Sequence, residues 1–166
     1  MSVFKFLRAC YSNDVYIQVW ENRLKVRNLN NWVVFDDDPL IALQARDKRG
    51  PTVEAIGRSV YQLPNKADLS ILNPFSHPRS LINDFQCASK ILMHAVRDVH
   101  RARWFAPHPR LIIHPMEKVE GGLTSIETRA FRELCLSANA REVSIYLGKE
   151  PDNSKLSYEW LRSLSS

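Results

Sequence analysis

Strands and helices alternate along the second half of this 166-residue sequence. The apolar stretches at residues 110–114 (RLIIH) and 142–147 (EVSIYL) predict two short buried strands. Amphipathic patterns predict a helix after each strand, over residues 124–138 and 153–164. Because this order places consecutive strands in parallel and packs the helices on the sheet, the sequence predicts an α/β fold.

The first half predicts a hairpin followed by shorter strands. Val15, Ile17 and Val19 alternate with more polar residues, and Leu24 and Val26 repeat this period of two after a turn. Further short strands are predicted at residues 32–35, 39–45 and 53–56, and irregular chain rich in Asn, Pro and His at residues 69–78.

A long amphipathic helix is predicted over residues 79–103. Pro107 and Pro109 follow it and exclude further helix. Its apolar residues form a wide stripe at helical spacing: Leu81, Ile82, Phe85, Ala88, Ile91, Leu92, Ala95, Val96 and Val99.

The first twelve residues also have helical periodicity. Apolar and aromatic side chains recur on one face, with Lys5 and Arg8 elsewhere, which is typical of a helix lying in a membrane interface. A terminal helix packed on its own domain or on a partner explains the pattern equally well. The candidate membrane-binding residues are Val3, Phe4, Lys5, Phe6, Leu7, Arg8 and Tyr11.

Composition excludes several classes of protein. No stretch is long and apolar enough to span a bilayer, and three well-separated cysteines indicate neither a disulfide framework nor a zinc site. A cytoplasmic location is therefore expected. The net charge of +5 favours anionic partners such as phospholipid headgroups or nucleic acid.

The sequence offers little catalytic chemistry. It has only five glycines and neither the GxGxxG nor the P-loop pattern, so no glycine-rich phosphate loop is predicted. The five histidines lack the spacing of a metal site, and no GxSxG motif marks a nucleophile. No metal site and no cofactor are predicted.

Two charged clusters have competing interpretations. Asp36, Asp37 and Asp38 precede Pro39, a pattern more typical of a solvated turn than of a cation site. Around the end of the long helix, basic residues interleave with aromatic ones. This pattern fits either nucleic-acid binding or a helix end whose cations complement the helix dipole, and we expect the latter. The cluster comprises Arg97, His100, Arg101, Arg103, Trp104, Phe105 and Arg110.

Thr124 and Glu127 have the spacing of a capping box. The Thr124 hydroxyl would accept the Glu127 N–H, and the Glu127 carboxylate would accept the Thr124 N–H. A structural cap is the default role of both residues.

Several stretches, in order, resemble the first half of the bacterial actin homologue MreB, the rod shape-determining family. They are FKFLRACYSNDVYI, DDPLIAL, VEAIGRSVYQL, the passage from LNPF to LINDF, PHPRLIIHP, SIETRAFREL and ANAREVSIYLGKEP. The resemblance implies an actin-like (RNase H-like) first subdomain, with a mixed sheet and flanking helices, at residues 13–31 and 72–166. A small α+β subdomain would be inserted at residues 32–71, with residues 1–12 as the amphipathic N-terminal helix.

The resemblance also implies that the nucleotide site is degenerate. In the family the first hairpin turn reads Asp-Leu-Gly-Thr and holds nucleotide phosphate and magnesium. Gln18 here replaces the carboxylate, Trp20 stands where phosphate needs bare backbone, and Glu21 repels an anion. Glu127 matches the family glutamate associated with the attacking water, and is vestigial without phosphates. No enzymatic activity is expected.

The residues after Glu150 and Pro151 depart from the family. Leu156 and Trp160 predict a helix that covers a surface which another subdomain would otherwise cover, so that the chain is expected to be finished rather than cut. The expected function is that of a non-enzymatic regulator or partner of the actin-like cell-shape machinery, peripheral to the inner membrane, with MreB or its complex as the protein partner. The alternatives are nucleic-acid binding and residual nucleotide binding.

Overall fold

The computed structural model describes residues 13–46, 50–100, 107–153 and 156–165. Eight strands lie in this part of the chain: β1 Asp14–Val19, β2 Leu24–Asn28, β3 Val34–Asp37, β4 Ile41–Gln44, β5 Thr52–Ile56, β6 Leu69–Leu72, β7 Arg110–Pro115 and β8 Glu142–Ile145. The helices are a 3₁₀ helix at Gly57–Gln62, α1 at Phe85–His100, α2 at Ser125–Ser137 and α3 at Tyr158–Ser163.

The strands form two sheets. The larger sheet is mixed and has the order β3-β2-β1-β7-β8. Its hairpin strands are antiparallel, whereas β1, β7 and β8 are parallel, as the strand–helix order predicts. The smaller sheet is antiparallel, with the order β5-β4-β6. The predicted α/β class with a mixed sheet and flanking helices is confirmed.

The two faces of the larger sheet differ in chemistry. Val15, Ile17 and Val19 contribute to an apolar core with the buried faces of α1 and α2. Tyr16, between them, belongs to a second cluster on the opposite face, where Leu156 and Leu161 of the C-terminal segment are buried. The alternation of β1 therefore separates an aliphatic layer from a layer of aromatic and polar side chains.

The region before α1 differs from the sequence prediction. Residues 69–72 form β6 rather than irregular chain, because they pair with β4 across the smaller sheet. Helix α1 begins at Phe85 rather than at residue 79, since the Asp84 carboxylate accepts the Cys87 N–H at 2.9 Å and caps the helix. Leu81 is buried without being helical.

Two other element boundaries also move. β3 begins two residues later than predicted and includes Asp36 and Asp37, because it pairs with β2 as far as Leu24. Strand β3 therefore belongs to the larger sheet. The predicted boundary assigned residues 32–71, which include β3, to a separate inserted subdomain. Helix α3 begins at Tyr158 rather than at residue 153, because the Ser157 hydroxyl caps its N-terminus.

Two predicted features lie outside the described residues. The first is the amphipathic helix of residues 1–12, with all the candidate membrane-binding side chains. The second is the stretch 101–106, with the end of the predicted long helix and most of its basic and aromatic cluster. None of the described helices combines the length and the hydrophobicity needed to cross a membrane.

Candidate functional site

The turn between β1 and β2 lies at the carboxyl end of the parallel strands. Within it, the Trp20 N–H donates to the Arg23 carbonyl at 2.9 Å, and the Arg23 guanidinium lies 5.4 Å from the centre of the Trp20 ring. The Met116 N–H donates to the Val19 carbonyl at 2.9 Å, so the chain leaving β7 runs beside the turn. The carboxyl end of parallel strands is the usual place for a ligand site in an α/β sheet.

Gln18, the last polar residue of β1, is 2% exposed. Its side-chain amide donates to Glu150 Oε1 at 2.8 Å and lies 3.8 Å from the Met116 sulfur. The amide is thus bound to a carboxylate of the same chain. A neutral amide in this position does not supply the negative charge with which a carboxylate would bind a divalent cation.

A backbone N–H of the turn already donates a hydrogen bond to a carboxylate of the protein. The Glu21 N–H donates to Glu117 Oε2 at 2.8 Å. A phosphate group binds to a turn of this kind through such N–H groups. Because the Glu117 carboxylate accepts this N–H, an incoming anion would have to displace it.

Glu21 links the turn to two other segments of the chain, the one that follows β6 and the one that follows β7. Its carboxylate accepts a hydrogen bond from Lys118 Nζ at 2.7 Å and one from the Ser76 hydroxyl at 3.4 Å. The Asn73 side chain donates to the Glu21 carbonyl at 2.8 Å, and Lys118 also donates to the carbonyl of His77. The hydrogen bond and charge of Lys118 lower the pKa of the Glu21 carboxyl, so it is ionised at neutral pH.

The charge of this turn opposes anion binding. Glu21, Glu117 and Glu150 bring three carboxylates to it, and the nearby cation Lys118 is already paired with Glu21. Among the described residues, no group of three or more His, Cys, Asp or Glu side chains is placed to hold a metal ion. We call this network of Gln18, Glu21, Asn73, Glu117, Lys118 and Glu150 the filled turn.

Thr124 and Glu127 form the predicted capping box at the start of α2. The Glu127 N–H donates to the Thr124 hydroxyl at 3.2 Å, and the Thr124 N–H donates to Glu127 Oε2 at 2.9 Å. The Thr124 hydroxyl also donates to that carboxylate, at 2.7 Å. One oxygen of Glu127 therefore accepts two hydrogen bonds within the cap.

The three aspartates of residues 36–38 do not form a solvated turn. Asp36 accepts two hydrogen bonds from Arg23, at 2.7 and 2.6 Å, and this contact lowers the pKa of its carboxyl. Asp37 accepts the Arg58 N–H and Nε, at 2.9 and 2.8 Å. Asp38 accepts the Tyr61 hydroxyl. The cluster is paired within the protein.

One member of the predicted basic and aromatic cluster is buried. Arg110 donates to Asp14 from two nitrogens, at 2.7 and 2.9 Å, and its guanidinium lies 3.8 Å from the centre of the Tyr158 ring. It holds α3 against the sheet and is removed from any surface for nucleic acid. Arg97 is exposed and His100 is half-buried.

Sequence reasoning missed three residues of the filled turn, namely Asn73, Glu117 and Lys118. Glu117 and Lys118 follow β7 after one intervening residue, Met116, and β7 is parallel to β1. Their place after a predicted parallel strand was a usable signal, because parallel strands end at the same edge of the sheet. Asn73 follows β6, a strand that the sequence did not predict.

Comparison with known proteins gives several similar sequences, although no family model matches the chain. The cell shape-determining protein MreB of Pasteurella multocida is 29% identical over 150 residues, which are 90% of this chain and 41% of that protein. MreB of Escherichia coli is 28% identical over 153 residues, covering 90% of this chain and 42% of that protein. The uncharacterized protein YjaA of Escherichia coli is 34% identical over 85 residues, which are 48% of this chain and 67% of YjaA.

Solved structures of actin-like proteins share the fold. MreB5 of Spiroplasma citri bound to AMPPNP superposes with a TM-score of 0.63 at 17% identity, over 82% of this chain and 38% of that one. A non-polymerising mutant of MamK bound to AMPPNP gives a TM-score of 0.60 at 12% identity, over 81% of this chain and 40% of that one. The chain thus spans about two fifths of the length of the MreB proteins it matches, and it is similar in sequence and in fold to the N-terminal half of MreB-family actin-like proteins.

Proposed function

We propose that this protein is a non-enzymatic member of the actin-like cell-shape machinery. It acts by binding another protein, with MreB as the first candidate, and its N-terminal segment places it at the inner membrane. The observation that carries the non-enzymatic part is the hydrogen bond from the Glu21 N–H to the Glu117 carboxylate. It places a negative charge of the protein where the turn would bind a phosphate.

The rest of the filled turn supports the same proposal. Gln18 is bound to Glu150, and Lys118 is bound to Glu21, so neither the amide nor the cation is available to a nucleotide. Glu127 is held in a cap at the start of α2 by its hydrogen bonds with Thr124. The part of the fold that this chain shares with MreB offers surfaces for contact with other proteins, and proteins of an assembly recognise one another through such surfaces.

Co-sedimentation with full-length MreB from the same organism tests the partner. The full chain should pellet with polymerised MreB and stay in the supernatant when MreB is left unpolymerised or is omitted. Association with the polymer follows if the shared fold presents a surface that matches a filament contact. Recovery in the supernatant under all three conditions would remove MreB filaments as the partner.

Titration calorimetry with magnesium ATP tests the non-enzymatic part separately. We expect only the heat of dilution up to about millimolar nucleotide, because the carboxylates of the filled turn repel the phosphates. Micromolar binding would overturn this part of the proposal without affecting the co-sedimentation result. Magnesium ADP serves as the second ligand, since it carries one phosphate fewer.

A further inference from the structure

An open groove with a volume of about 640 Å³ runs along helix α1. Its apolar lining includes Val53 and Ile56 of β5 and Met93 and Val96 of α1, with Pro109 and Ala138 beside them. Val53 and Met93 are 40% and 45% exposed, so their apolar surface faces solvent. Exposed apolar side chains that meet across a concave surface are typical of a binding site.

The groove is also cationic. Lys90, His94 and Arg97 line it with Met93, at positions that share one face of α1, and His100 and His108 line it nearer the end of this helix. None of the described lining residues is an Asp or a Glu. Arg97 forms no ion pair with any residue that the structure describes, whereas Arg110 and Lys118 elsewhere are paired with carboxylates.

We propose that this groove binds an acidic amphipathic segment of a partner protein. Apolar side chains of the segment contact Val53, Ile56 and Met93, and its carboxylates contact Lys90 and Arg97. The proposal goes beyond the function proposed above, because it names a surface and the chemistry of its occupant and does not depend on MreB. The charge complementarity also determines the encounter rate and the salt dependence of binding.

The lining distinguishes this occupant from two others. Single-stranded nucleic acid binds through aromatic side chains on which bases stack, whereas none of the described lining residues of this groove is a Phe, Tyr or Trp. Arg110, which would extend a phosphate-binding surface, is buried against Asp14. A second copy of this chain carries the same net charge of +5, so its approach is opposed by long-range repulsion.

The test is binding of a fluorescent peptide to the full chain, measured by anisotropy. The peptide has about 16 residues, with Leu on one helical face and Glu on the other, and a matched peptide has Gln in place of every Glu. We expect the Glu peptide to bind and the Gln peptide to bind at least about tenfold more weakly. Raising the salt from about 50 to about 300 mM should reduce this difference, because exposed charges are screened.

Substitutions on α1 locate the binding. The double variant Lys90→Gln with Arg97→Gln should weaken binding of the Glu peptide by about tenfold, because it removes two exposed ionic contacts. The matched control is Arg129→Gln with Arg132→Gln, which removes two exposed cations from α2 and should leave binding unchanged. Far-ultraviolet circular dichroism of both variants checks that α1 and α2 remain folded.

Three outcomes would overturn the proposal. Equal binding of the Glu and Gln peptides, or equal effects of the two double variants, would remove charge recognition by this groove. Tighter binding of an oligonucleotide than of the Glu peptide, lost with Lys90 and Arg97, would assign the groove to nucleic acid. Self-association of the chain that disappears in the α1 variant would assign it to a second copy.

Discussion

Three side chains from distant parts of the sequence form hydrogen bonds with Glu21 in the turn between β1 and β2. Glu117 accepts the Glu21 N–H, Lys118 neutralises the Glu21 carboxylate, and Asn73 donates to its carbonyl. These three residues lie 96, 97 and 52 positions from Glu21, so the only signal of their contacts in the sequence was the position of Glu117 and Lys118 after a predicted parallel strand. The substitutions at Gln18, Trp20 and Glu21 were readable from the resemblance, but the groups that compensate for them were not.

His114 gives the second layer of the sheet a pH-dependent residue. Its Nε2 lies 2.9 Å from the Gly148 carbonyl, which can only accept, so Nε2 carries the proton. Its Nδ1, 2.5 Å from the Tyr16 hydroxyl, accepts a hydrogen bond from that group. Burial lowers the pKa of His114, and the neutral ring fits both contacts.

We therefore expect acid to destabilise the protein through His114. Its folded pKa lies below the unfolded value of about 6.5, so stability is complete above that pH and falls as pH drops toward the folded pKa. Urea unfolding at about pH 7.5 and 5.5 should show a smaller loss of stability in His114→Gln than in the wild type. The exposed His108→Gln variant should keep the wild-type slope, and a loss of slope in that variant would contradict the assignment.

At the scale of elements, the capping box decides where α2 begins. Thr124→Ala removes the hydroxyl that accepts the Glu127 N–H and should lower the free energy of unfolding by about 1 kcal/mol. Glu127→Gln should have a smaller effect, because an amide oxygen also accepts the Thr124 N–H. Urea denaturation measures both. A larger loss from Glu127→Gln than from Thr124→Ala would indicate a role for the Glu127 charge beyond the cap.

The buried pair of Arg110 and Asp14 joins β7 to β1, and Arg110 also contacts Tyr158 and Glu159 of helix α3. Burial opposes the charge of Arg110, but hydrogen bonds and charge from Asp14 and Glu159 raise its pKa overall. Arg110→Met leaves the Asp14 carboxylate buried and unpaired, and should cost about 3–5 kcal/mol of stability. The double variant with Asp14→Leu should recover most of this loss in denaturant unfolding.

The matched control for this pair is Glu159→Gln. Glu159 is 69% exposed, so the loss of its contact with Arg110 should cost less than about 1 kcal/mol. If Arg110→Met costs no more than Glu159→Gln, the buried pair contributes little to the stability of the fold. A double variant as unstable as Arg110→Met alone would show that packing of the guanidinium on Tyr158 is the larger contribution.

Local sequence patterns predicted the presence of helices and strands better than the residues at which they begin and end. The alternation of β1 and β2 and the apolar stripe of α1 follow from burial on one face, which is readable in the sequence. The start of α1 was wrong because Leu81 is buried in a loop, while the true start depends on the Asp84 cap. β6 was missed because Ile71 and Leu72 are exposed and the strand depends on pairing with distant β4.

At the scale of the whole molecule, the fold and the family follow from the order of the motifs, but the function depends on what the surfaces bind. The apolar face of the larger sheet packs on α1 and α2, and its aromatic face packs on α3 and the chain before it. Among the described residues, the surfaces open to partners therefore include the outer sides of the helices and of the smaller sheet. The groove along α1 is lined by residues of this helix and of β5 in the smaller sheet, which are too far apart in the sequence to form a local pattern.

The proposed membrane attachment concerns the whole chain, and its test uses the whole chain. Phe4 and Leu7 are apolar positions of the periodic pattern in the N-terminal sequence, so we expect Phe4→Ser with Leu7→Ser to abolish pelleting with anionic vesicles. The control is Ile126→Ser, which removes an apolar side chain that is 79% exposed on α2 and should leave pelleting unchanged.

The two substitutions also separate insertion from electrostatic adsorption. If the net charge of +5 alone held the protein on vesicles, the Phe4 and Leu7 variant would pellet like the wild type, because it keeps every cation. In that case, Lys5→Gln with Arg8→Gln would weaken vesicle binding by the same amount as the removal of any two other surface cations. Loss of pelleting in the apolar variant, at unchanged charge, means that the side chains enter the acyl boundary and that the segment is an anchor.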